Sequence, residues 1–529
     1  MDLRSKTLGE LIISRAAETP DETAVTFVTV ESDGSLASEA RTCAELEANA
    51  RRLAGWLRAA GIGQGDRIGI MLRNHPEFVE TMIAASFLGA LFVPVDPRSK
   101  GDKLAFMLHF TACKALILGD YASEALQMVA GQVPELGVIL MVGDPGAAPE
   151  GHWSAAPYRI ALESADPLDE IAEIDLESPM FMMFTSGTTG NPKAVVRTHA
   201  SHQRDFTLLL ELGIEPDYRL YTGLPLCHIN AQFTLNLALR RPQPAVFSRT
   251  FTKTRLLDIC RTFDCNTFSL LGGMIPEVFS NPVKSDDADN PVKLVISSGM
   301  PAGLWGAYRE RYDVEITELY GSTEGGGALI NCRSEGPIGS MGRPPQGMIA
   351  AILDETDTEL PPGQAGHICF RPKHGDARPV DYYKNEKAGR EKVEKGWFRS
   401  GDIAHMDAEG WFYFHHREGG GVRRNGDFVN TFMVESVLSK HPAVADVFVY
   451  GVQTEATIAG EKELVAAIVL EDGASLDAVK AWAPGELQKN EVPGIWQQLD
   501  AIPKTVSEKP IERACIELLT ETGLVTPTP

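Results

Sequence analysis

The feature that most constrains this chain is a loop of glycine and hydroxyl residues that directly follows a short apolar run. The apolar run covers residues 180–184, and the loop reads TSGTTGNPK over residues 185–193. Glycine brings backbone N–H groups close to an anion, hydroxyls donate hydrogen bonds, and the lysine adds a positive charge. The pattern predicts a strand that ends in a turn wrapped around phosphate groups, which indicates ATP chemistry.

Two other kinds of phosphate loop do not fit these residues. A Walker A loop has glycine directly before its lysine and serine or threonine after it, whereas Pro192 and Ala194 flank Lys193. The turns after the early predicted strands carry no GxGxxG fingerprint, so a dinucleotide-binding Rossmann domain would lack its phosphate loop. The remaining alternative is a solvated turn of serine, threonine and glycine, which the length of the string disfavours.

Helices and strands alternate along the first part of the chain. Leu8, Leu11, Ile12 and Ala16 recur at helical spacing and predict an amphipathic first helix. The pattern then predicts helices over 46–57 and 78–88 and strands over 67–72, 91–95 and 115–118. This alternation is typical of layered α/β domains. Residues 143–157 and 281–291 have the composition of surface loops.

A break in this pattern comes after a predicted strand over residues 411–415. Residues 419–421 are three consecutive glycines, which leave the backbone little preference for one conformation. A helix over 434–438 and strands over 444–450 and 464–469 follow. We therefore expect an α/β protein with a large N-terminal domain of layered α/β subdomains over 1–417 and a small α+β C-terminal domain over 418–529.

The net charge of the chain indicates which binding partners to expect, and its cysteines indicate the cellular compartment. The 529 residues are enough for more than one domain, and their formal charge of -23 disfavours nucleic acids and anionic membrane surfaces. Charge interrupts the first residues before any long apolar stretch, so we expect neither a signal peptide nor a membrane anchor there, and no later apolar run is long enough to span a bilayer. The eight cysteines are scattered without metal or CxxC spacing, which predicts a reducing cytoplasm.

Four motifs occur in an order that resembles a known family. They are TSGTTGNPK, YGSTE at 320–324, FRSGD at 398–402 and PKTVSEK at 503–509. Together they resemble the adenylate-forming enzymes, which include acyl-CoA synthetases, luciferases and the adenylation domains of peptide synthetases. The segments HINAQ at 228–232, GHICFRP and WFYFHHR are most similar to crotonobetaine/carnitine-CoA ligases and related small-acid ligases.

This resemblance implies ATP, Mg²⁺ and coenzyme A as ligands and assigns roles to individual residues. Tyr320 would stack on adenine, Asp402 would accept hydrogen bonds from both ribose hydroxyls, and Glu324 would offer Mg²⁺ a hard oxygen ligand. The residues implied to bind ATP or AMP are Thr185, Ser186, Gly187, Thr188, Thr189, Gly190, Lys193, Ser298, Gly299, Tyr320, Gly321, Asp402 and Arg417.

The same resemblance implies catalytic, acyl-binding and CoA-binding residues. Catalysis would fall to Thr323, Glu324 and Lys509, whose ammonium would stabilise charge while the adenylate forms; Lys504 is the nearby alternative. The acyl pocket would be lined by His228, Gly325 and Gly326, with Gly327 adding room. CoA phosphates would meet Arg423, Arg424 and Gly426, and Gly419 would be the hinge of a mobile small domain.

Several positions leave a second interpretation open. His228 also fits a structural histidine, Arg417 a surface arginine, and Arg423 and Arg424 a solvated basic turn. Ala194, Gly419 and Glu508 depart from the family pattern, since the family has Asp or Lys at the hinge and glycine before the catalytic lysine.

The function expected from the resemblance is that of an ATP-dependent, AMP-forming carboxylate-CoA ligase that works through an acyl-adenylate. The alternatives are an adenylation enzyme that loads a separate carrier protein and an inactive nucleotide-binding regulator. The partners expected are a small carboxylic acid, ATP and CoA, with no nucleic acid and no membrane insertion, and a homodimer is left open.

Overall fold

The computed structural model describes residues 6–185, 192–272, 274–417, 421–454, 457, 461–503 and 510–522. The helices are α1 (Leu8–Glu18), α2 (Cys43–Ala59), α3 (Pro76–Leu88), α4 (Gly101–Phe110), α5 (Ser123–Met128), α6 (Tyr158–Ser164), α7 (His199–Leu209), α8 (Ile229–Arg240), α9 (Leu256–Thr262), α10 (Met274–Phe279), α11 (Ala302–Tyr312), α12 (Glu386–Glu391), α13 (Thr431–Leu438), α14 (Leu476–Glu486) and α15 (Glu512–Glu521).

Most of the strands belong to two large sheets and one smaller sheet. They are β1 (Thr23–Val30), β2 (Leu36–Thr42), β3 (Arg67–Met71), β4 (Leu91–Pro94), β5 (Cys113–Gly119), β6 (Val138–Val142), β7 (Ser154–Pro157), β8 (Pro179–Thr185), β9 (Lys193–Thr198), β10 (Leu220–Thr222), β11 (Ala245–Ser248), β12 (Thr267–Leu271), β13 (Leu294–Ser298), β14 (Glu315–Gly321), β15 (Ala328–Asn331), β16 (Met348–Leu353), β17 (Gly366–Pro372), β18 (Val393–Glu394), β19 (Trp397–Met406) and β20 (Phe412–Arg417). The C-terminal strands are β21 (Val422–Arg424), β22 (Asp427–Val429), β23 (Val444–Val452), β24 (Glu463–Leu470) and β25 (Ile495–Gln498).

The two large sheets are mainly parallel and lie on opposite sides of a shared apolar core. One has the order β7-β6-β5-β3-β4-β8-β9 and the other β15-β14-β13-β12-β10-β11-β1-β2. A parallel sheet needs helices over its faces, and α3, which is buried along nearly its whole length, packs with α1, α2 and α8 in this core. Parallel α/β sheets bind ligands at the carboxyl ends of their strands, and in the second sheet β12, β13 and β14 are parallel neighbours whose carboxyl ends lie at one edge.

A third, antiparallel sheet packs against the end of the second large sheet. It runs β16-β17-β19-β18, and β20 pairs with β19. Its core side chains Phe370 and Phe398 pack with Tyr320 and Leu329 of the large sheet. This packing brings β19, with Asp402, beside the end of β14.

The C-terminal residues form a separate domain with its own core. The hairpin β21–β22 is followed by the sheet β23-β24-β25, with α13 and α14 packed on one face. Polar contacts join this domain to the start of α4: Lys103 Nζ lies 2.6 Å from Glu491 Oε1, and Gln488 donates to Ser99 Oγ at 3.1 Å. The third sheet ends at Arg417 and β21 begins at Val422, so the boundary between 417 and 418 stays a prediction that falls in this gap.

The sequence patterns located most of these elements. The first helix, the helix before Gly61 and the early strands lie where the apolar spacing placed them, within a few residues. Gly61 adopts a φ of +86°, the left-handed conformation that ends helices. One difference is β7, which lies inside the segment expected to be a loop, because an edge strand needs only backbone pairing with β6. Within the described chain, no helix combines the length and apolarity needed to cross a bilayer.

Candidate functional site

A cavity of about 1640 Å³ lies where the large sheets, the third sheet and the small domain meet. The carboxyl ends of three neighbouring parallel strands open into it, at Leu271, Ser298 and Tyr320. Of the predicted site residues, those that line it are Ser298, Gly299, Tyr320, Gly321, Glu324, Gly325, Gly326, Asp402, Arg423 and Gly426.

The adenosine end of the predicted site is built around Tyr320 and Asp402. Tyr320 Oη donates a hydrogen bond to Asp402 Oδ2 at 2.5 Å, across 82 positions of sequence. One face of the Tyr320 ring stacks on Phe370 with centroids 6.0 Å apart. Tyr320, the predicted adenine platform, and Asp402, the predicted ribose acceptor, are therefore in direct contact. Their hydrogen bond also fixes the direction of the other carboxylate oxygen of Asp402.

The phosphate end brings together two predicted residues through a third that the sequence did not single out. Tyr382 Oη donates to Glu324 Oε1 at 2.9 Å, and Lys193 Nζ lies 5.1 Å from the centre of the Tyr382 ring. Thr185 pairs with Lys193 at the ends of β8 and β9, which frame the glycine loop. One buried tyrosine thus contacts a cation through its ring and a carboxylate through its hydroxyl.

The YGSTE segment is held by a buried ion pair and contains a buried hydroxyl. Arg197 donates to the Thr323 carbonyl at 2.8 Å and to both Asp205 oxygens at 2.8 and 2.7 Å. Ser322 Oγ is buried and finds no hydrogen-bond partner among the described residues. A buried hydroxyl without a partner is costly, so Ser322 suits a phosphate oxygen. Thr323 itself is not among the described residues that line the cavity.

A buried carboxylate, Glu318, supports the loop that contains Ser298 and Gly299, and it was not identified from the sequence. Glu318 accepts hydrogen bonds from the hydroxyl of Ser297 and from the backbone N–H groups of Gly299 and Met300. Burial raises the pKa of Glu318, and these donors and the charge of Arg423 oppose that rise. Gly299 has a φ of +95°, so the loop that Glu318 fixes needs glycine at this position. The only sequence signal for the role of Glu318 is that it is a charged residue inside an apolar strand.

The three glycines after Glu324 line the cavity, but the position that a side chain would take at each of them is already filled. A Cβ on Gly325 would lie 2.6 Å from Arg197 Nη1, and one on Gly326 or Gly327 would lie 2.3 Å from the ring of Phe398 or 2.1 Å from that of Phe370. The glycines therefore let the third sheet pack closely, and the extra room expected beside them is occupied by these side chains. Their part in an acyl pocket stays a prediction.

His228 stands at the start of α8, with its Nε2 3.9 Å from Asp96 Oδ2. The α8 residues that line the cavity are Ile229, Asn230 and Phe233, so His228 lies beside this wall. Asp96, Cys227 and His228 form a cluster of metal-ligand type. Burial opposes ionisation of Asp96, yet its hydrogen bonds with Arg98 lower its pKa to about 2, so Arg98 already serves as the cation there.

The small domain contributes the hairpin β21–β22 to the cavity. The Arg423 guanidinium packs closely on Gly272 and Gly299. A Cβ added to Gly272 would lie 3.2 Å from it, and a Cβ added to Gly299 would lie 3.3 Å from it. Arg424 instead donates to the carbonyls of Asn490 and Val492 and pairs with Glu463 at 2.8 Å, inside its own domain. Gly426 donates its N–H to Glu461 at 2.7 Å. The two arginines therefore have different surroundings.

Part of the predicted site lies outside the described residues. Ser186, Gly187, Thr188, Thr189 and Gly190, the hinge residue Gly419 and the lysine Lys509 belong to this part. The backbone of Arg417 pairs with Asp402, and its side chain is not described. Their roles stay predictions.

These features agree with the layered α/β fold and separate C-terminal domain that the resemblance to adenylate-forming enzymes predicted. The AMP-binding enzyme family matches residues 13–375, and the AMP-binding enzyme C-terminal domain matches residues 433–509. The chain belongs to the AMP-binding enzyme family. The predictions of this family, of its fold and of an acid–thiol ligase are confirmed.

Curated relatives and solved structures cover nearly the whole chain. It is 28% identical to a medium/long-chain-fatty-acid–CoA ligase, FadD17, of Mycobacterium marinum over 84% of this chain and 85% of that protein. It is 26% identical to crotonobetaine/carnitine–CoA ligase of Salmonella paratyphi C over 89% and 92%. A double mutant of o-succinylbenzoate CoA synthetase from Bacillus subtilis, bound to a product analogue, is 22% identical with a TM-score of 0.80, over 97% and 99%.

Proposed function

We propose that this chain is an ATP-dependent, AMP-forming ligase that joins a small carboxylic acid to the thiol of CoA. The acid's carboxylate attacks the α-phosphate of ATP, the bond to pyrophosphate breaks, and an acyl-adenylate forms. The thiol then attacks the acyl carbon, AMP leaves, and the thiol proton passes to solvent. The observation that carries the proposal is that Glu324 lines the same cavity as Tyr320 and Asp402 and is joined through Tyr382 to Lys193.

The arrangement supports ATP as the activating nucleotide because the first step brings two anions together. That approach needs positive charge and aligned donors. Lys193, the buried hydroxyl of Ser322 and the N–H groups of the glycine loop would supply them at the phosphates, while Tyr320 and Asp402 would hold the adenosine. The chain's own residues thus fix the nucleotide from both ends.

The residues present fit Mg²⁺ at one position. Mg²⁺ prefers carboxylate oxygens and binds together with substrate phosphates through few protein ligands. Glu324 has one oxygen engaged by Tyr382, which leaves the other for the cation. When bound, the cation would neutralise charge on the phosphates. Glu324 would hold it, and Tyr382 would keep the carboxylate turned towards the phosphates.

The small-acid substrate class rests on the polar part of the cavity lining. On α7 this lining includes Ser201, Arg204 and Asp205, which are costly beside a long alkyl chain, while Leu208 and Phe233 give the cavity apolar walls as well. The test is a panel of carboxylic acids assayed by pyrophosphate release, with and without CoA. Activation of short polar acids supports the proposal, and exclusive activation of long-chain fatty acids would contradict this substrate class.

We expect Asp402→Asn to raise the Michaelis constant for ATP about tenfold, since hydrogen bonds to a charged acceptor contribute about 1.5 kcal/mol or more. Asparagine keeps an acceptor for Tyr320, so the change removes mainly the charge that faces ribose. The measurement compares ATP with 2′-deoxy-ATP in both proteins. The wild type should discriminate against the deoxy nucleotide and Asp402→Asn should discriminate much less; undiminished discrimination would remove Asp402 from the ribose site.

We expect Arg423→Ala to slow thioester formation from supplied acyl-adenylate about tenfold, because one charged contact is lost. Acid-dependent pyrophosphate release should stay at the wild-type rate. The reason is that Arg423 enters the cavity from the small domain, beside Gly272 and Gly299. Arg513→Ala, an exposed arginine on α15 paired with Glu517, is the control. Equal losses in both half-reactions would contradict a role for Arg423 in the thiol step.

Two alternative functions are distinguished from this proposal by the thiol acceptor that is used and by whether pyrophosphate is released at all. A carrier-loading enzyme would release AMP with a phosphopantetheine carrier protein and not with CoA. A nucleotide-binding regulator would release no pyrophosphate with any acid.

All eight cysteines are free thiols, which supports a reducing cytoplasm as the location. The homodimer remains a prediction.

A further inference from the structure

We propose that Tyr382 is a positioning residue that couples the metal-binding carboxylate of Glu324 to the phosphate-binding lysine Lys193. This inference rests on the proposed function, because it assigns Glu324 and Lys193 to Mg-ATP. Tyr382 belongs to none of the motifs that marked the site, and it lies 58 positions from Glu324 in sequence.

The backbone around Tyr382 is fixed to the strand that carries Lys193. Tyr382 forms an antiparallel bridge with Val195. On either side, Val196 donates its N–H to the Asp381 carbonyl and Tyr383 donates its N–H to the Ala194 carbonyl, both at 2.8 Å. The loop before α12 is thereby attached to β9, so the Tyr382 side chain has a defined place relative to Lys193.

The Tyr382 side chain then makes two different contacts from that place. Its ring is only 2% exposed and faces the ammonium of Lys193 at 5.1 Å, within the range of a cation–π interaction. Its hydroxyl donates to Glu324 Oε1 at 2.9 Å. One rigid side chain thus sets both the direction of a carboxylate and the position of a cation.

The chemistry of a metal-binding carboxylate explains why such a contact matters. A carboxylate that is hydrogen-bonded through one oxygen presents the other in a fixed direction, and loss of such supporting partners lowers metal affinity by 10- to 100-fold in other sites. Tyr382 is not among the described residues that line the cavity. It acts through Glu324 and Lys193.

The experiment compares Tyr382→Phe, Tyr382→Leu and Tyr383→Phe by calorimetric titration with Mg-ATP and with metal-free ATP. Tyr382→Phe removes the hydroxyl and keeps the ring, so we expect Mg-ATP to bind about tenfold more weakly and metal-free ATP to bind as in the wild type. Tyr382→Leu also removes the ring from Lys193, so metal-free ATP should bind a few-fold more weakly as well.

Tyr383→Phe is the matched control, because the Tyr383 ring packs edge-on against Phe110 at 5.6 Å on the neighbouring side of the loop. It should bind both forms of ATP as the wild type does, and Tyr382→Phe should melt at the wild-type temperature. Equal binding of Mg-ATP by Tyr382→Phe and wild type, or equal weakening of both forms of ATP, would overturn the proposal. If the wild type binds Mg-ATP but activates no acid, the proposed function fails while these titrations still decide the role of Tyr382.

Discussion

Replacing Glu324 by glutamine is expected to lower kcat/KM for acid-dependent pyrophosphate release by about a hundredfold or more. Glutamine is nearly isosteric and keeps an oxygen that can accept the Tyr382 hydroxyl, so the local packing around the side chain is preserved. What is lost is the negative charge that would hold Mg²⁺ beside the phosphates. The effect should therefore fall on the adenylation step.

The measurement is the initial rate of pyrophosphate release as Mg²⁺ is varied at fixed ATP and acid. Glu335→Gln provides a matched control, since Glu335 is an exposed glutamate outside the residues that line the cavity. The control should behave as the wild type. A Glu324→Gln protein that keeps more than half of the wild-type rate at every Mg²⁺ concentration would exclude Glu324 as the metal ligand.

Replacing Lys509 by alanine is expected to reduce adenylation by about a hundredfold or more, since it removes a charge that stabilises the transition state. Lys509 lies outside the described residues, and its role rests on its place in PKTVSEK. A lysine has a flexible stem and a compact charge, which suit contact with both the attacking carboxylate and the ribose-phosphate oxygens. Acyl transfer from supplied acyl-adenylate should change little, because the adenylate has already formed.

The two half-reactions are measured separately in this test. Pyrophosphate release reports the first, and thioester formation from synthetic acyl-adenylate and CoA reports the second. Lys504→Ala is the matched control, since Lys504 lies in the same segment of the chain. Comparable losses in both half-reactions for Lys509→Ala, or a larger adenylation loss for Lys504→Ala, would refute the assignment.

Local pattern was enough to predict the α/β layers. Strands such as β3 and β5 are nearly continuous apolar runs because parallel strands are buried on both faces, and that burial is legible in the sequence. Tyr320 and Asp402 were assigned to neighbouring parts of one ligand, and the structure places them in direct contact.

Contacts that depend on packing between sheets were beyond the reach of local pattern. Tyr382 reaches Glu324 only because its loop pairs with β9, and nothing in the residues around Tyr382 marks that pairing. The glycines after Glu324 suggested open space, yet Phe370 and Phe398 from the third sheet fill it. Likewise, Arg423 and Arg424 are adjacent in sequence and differ only in which domain their side chains meet.

The central claim is that this site activates a carboxylic acid as its adenylate before any thiol takes part. It is tested most directly by exchange of radiolabelled pyrophosphate into ATP, with an acid present and CoA absent. We predict exchange that requires the acid and Mg²⁺ and is strongly reduced in Glu324→Gln. The appearance of ADP and phosphate as products, or exchange that does not depend on any acid while CoA-dependent thioester still forms, would contradict the account.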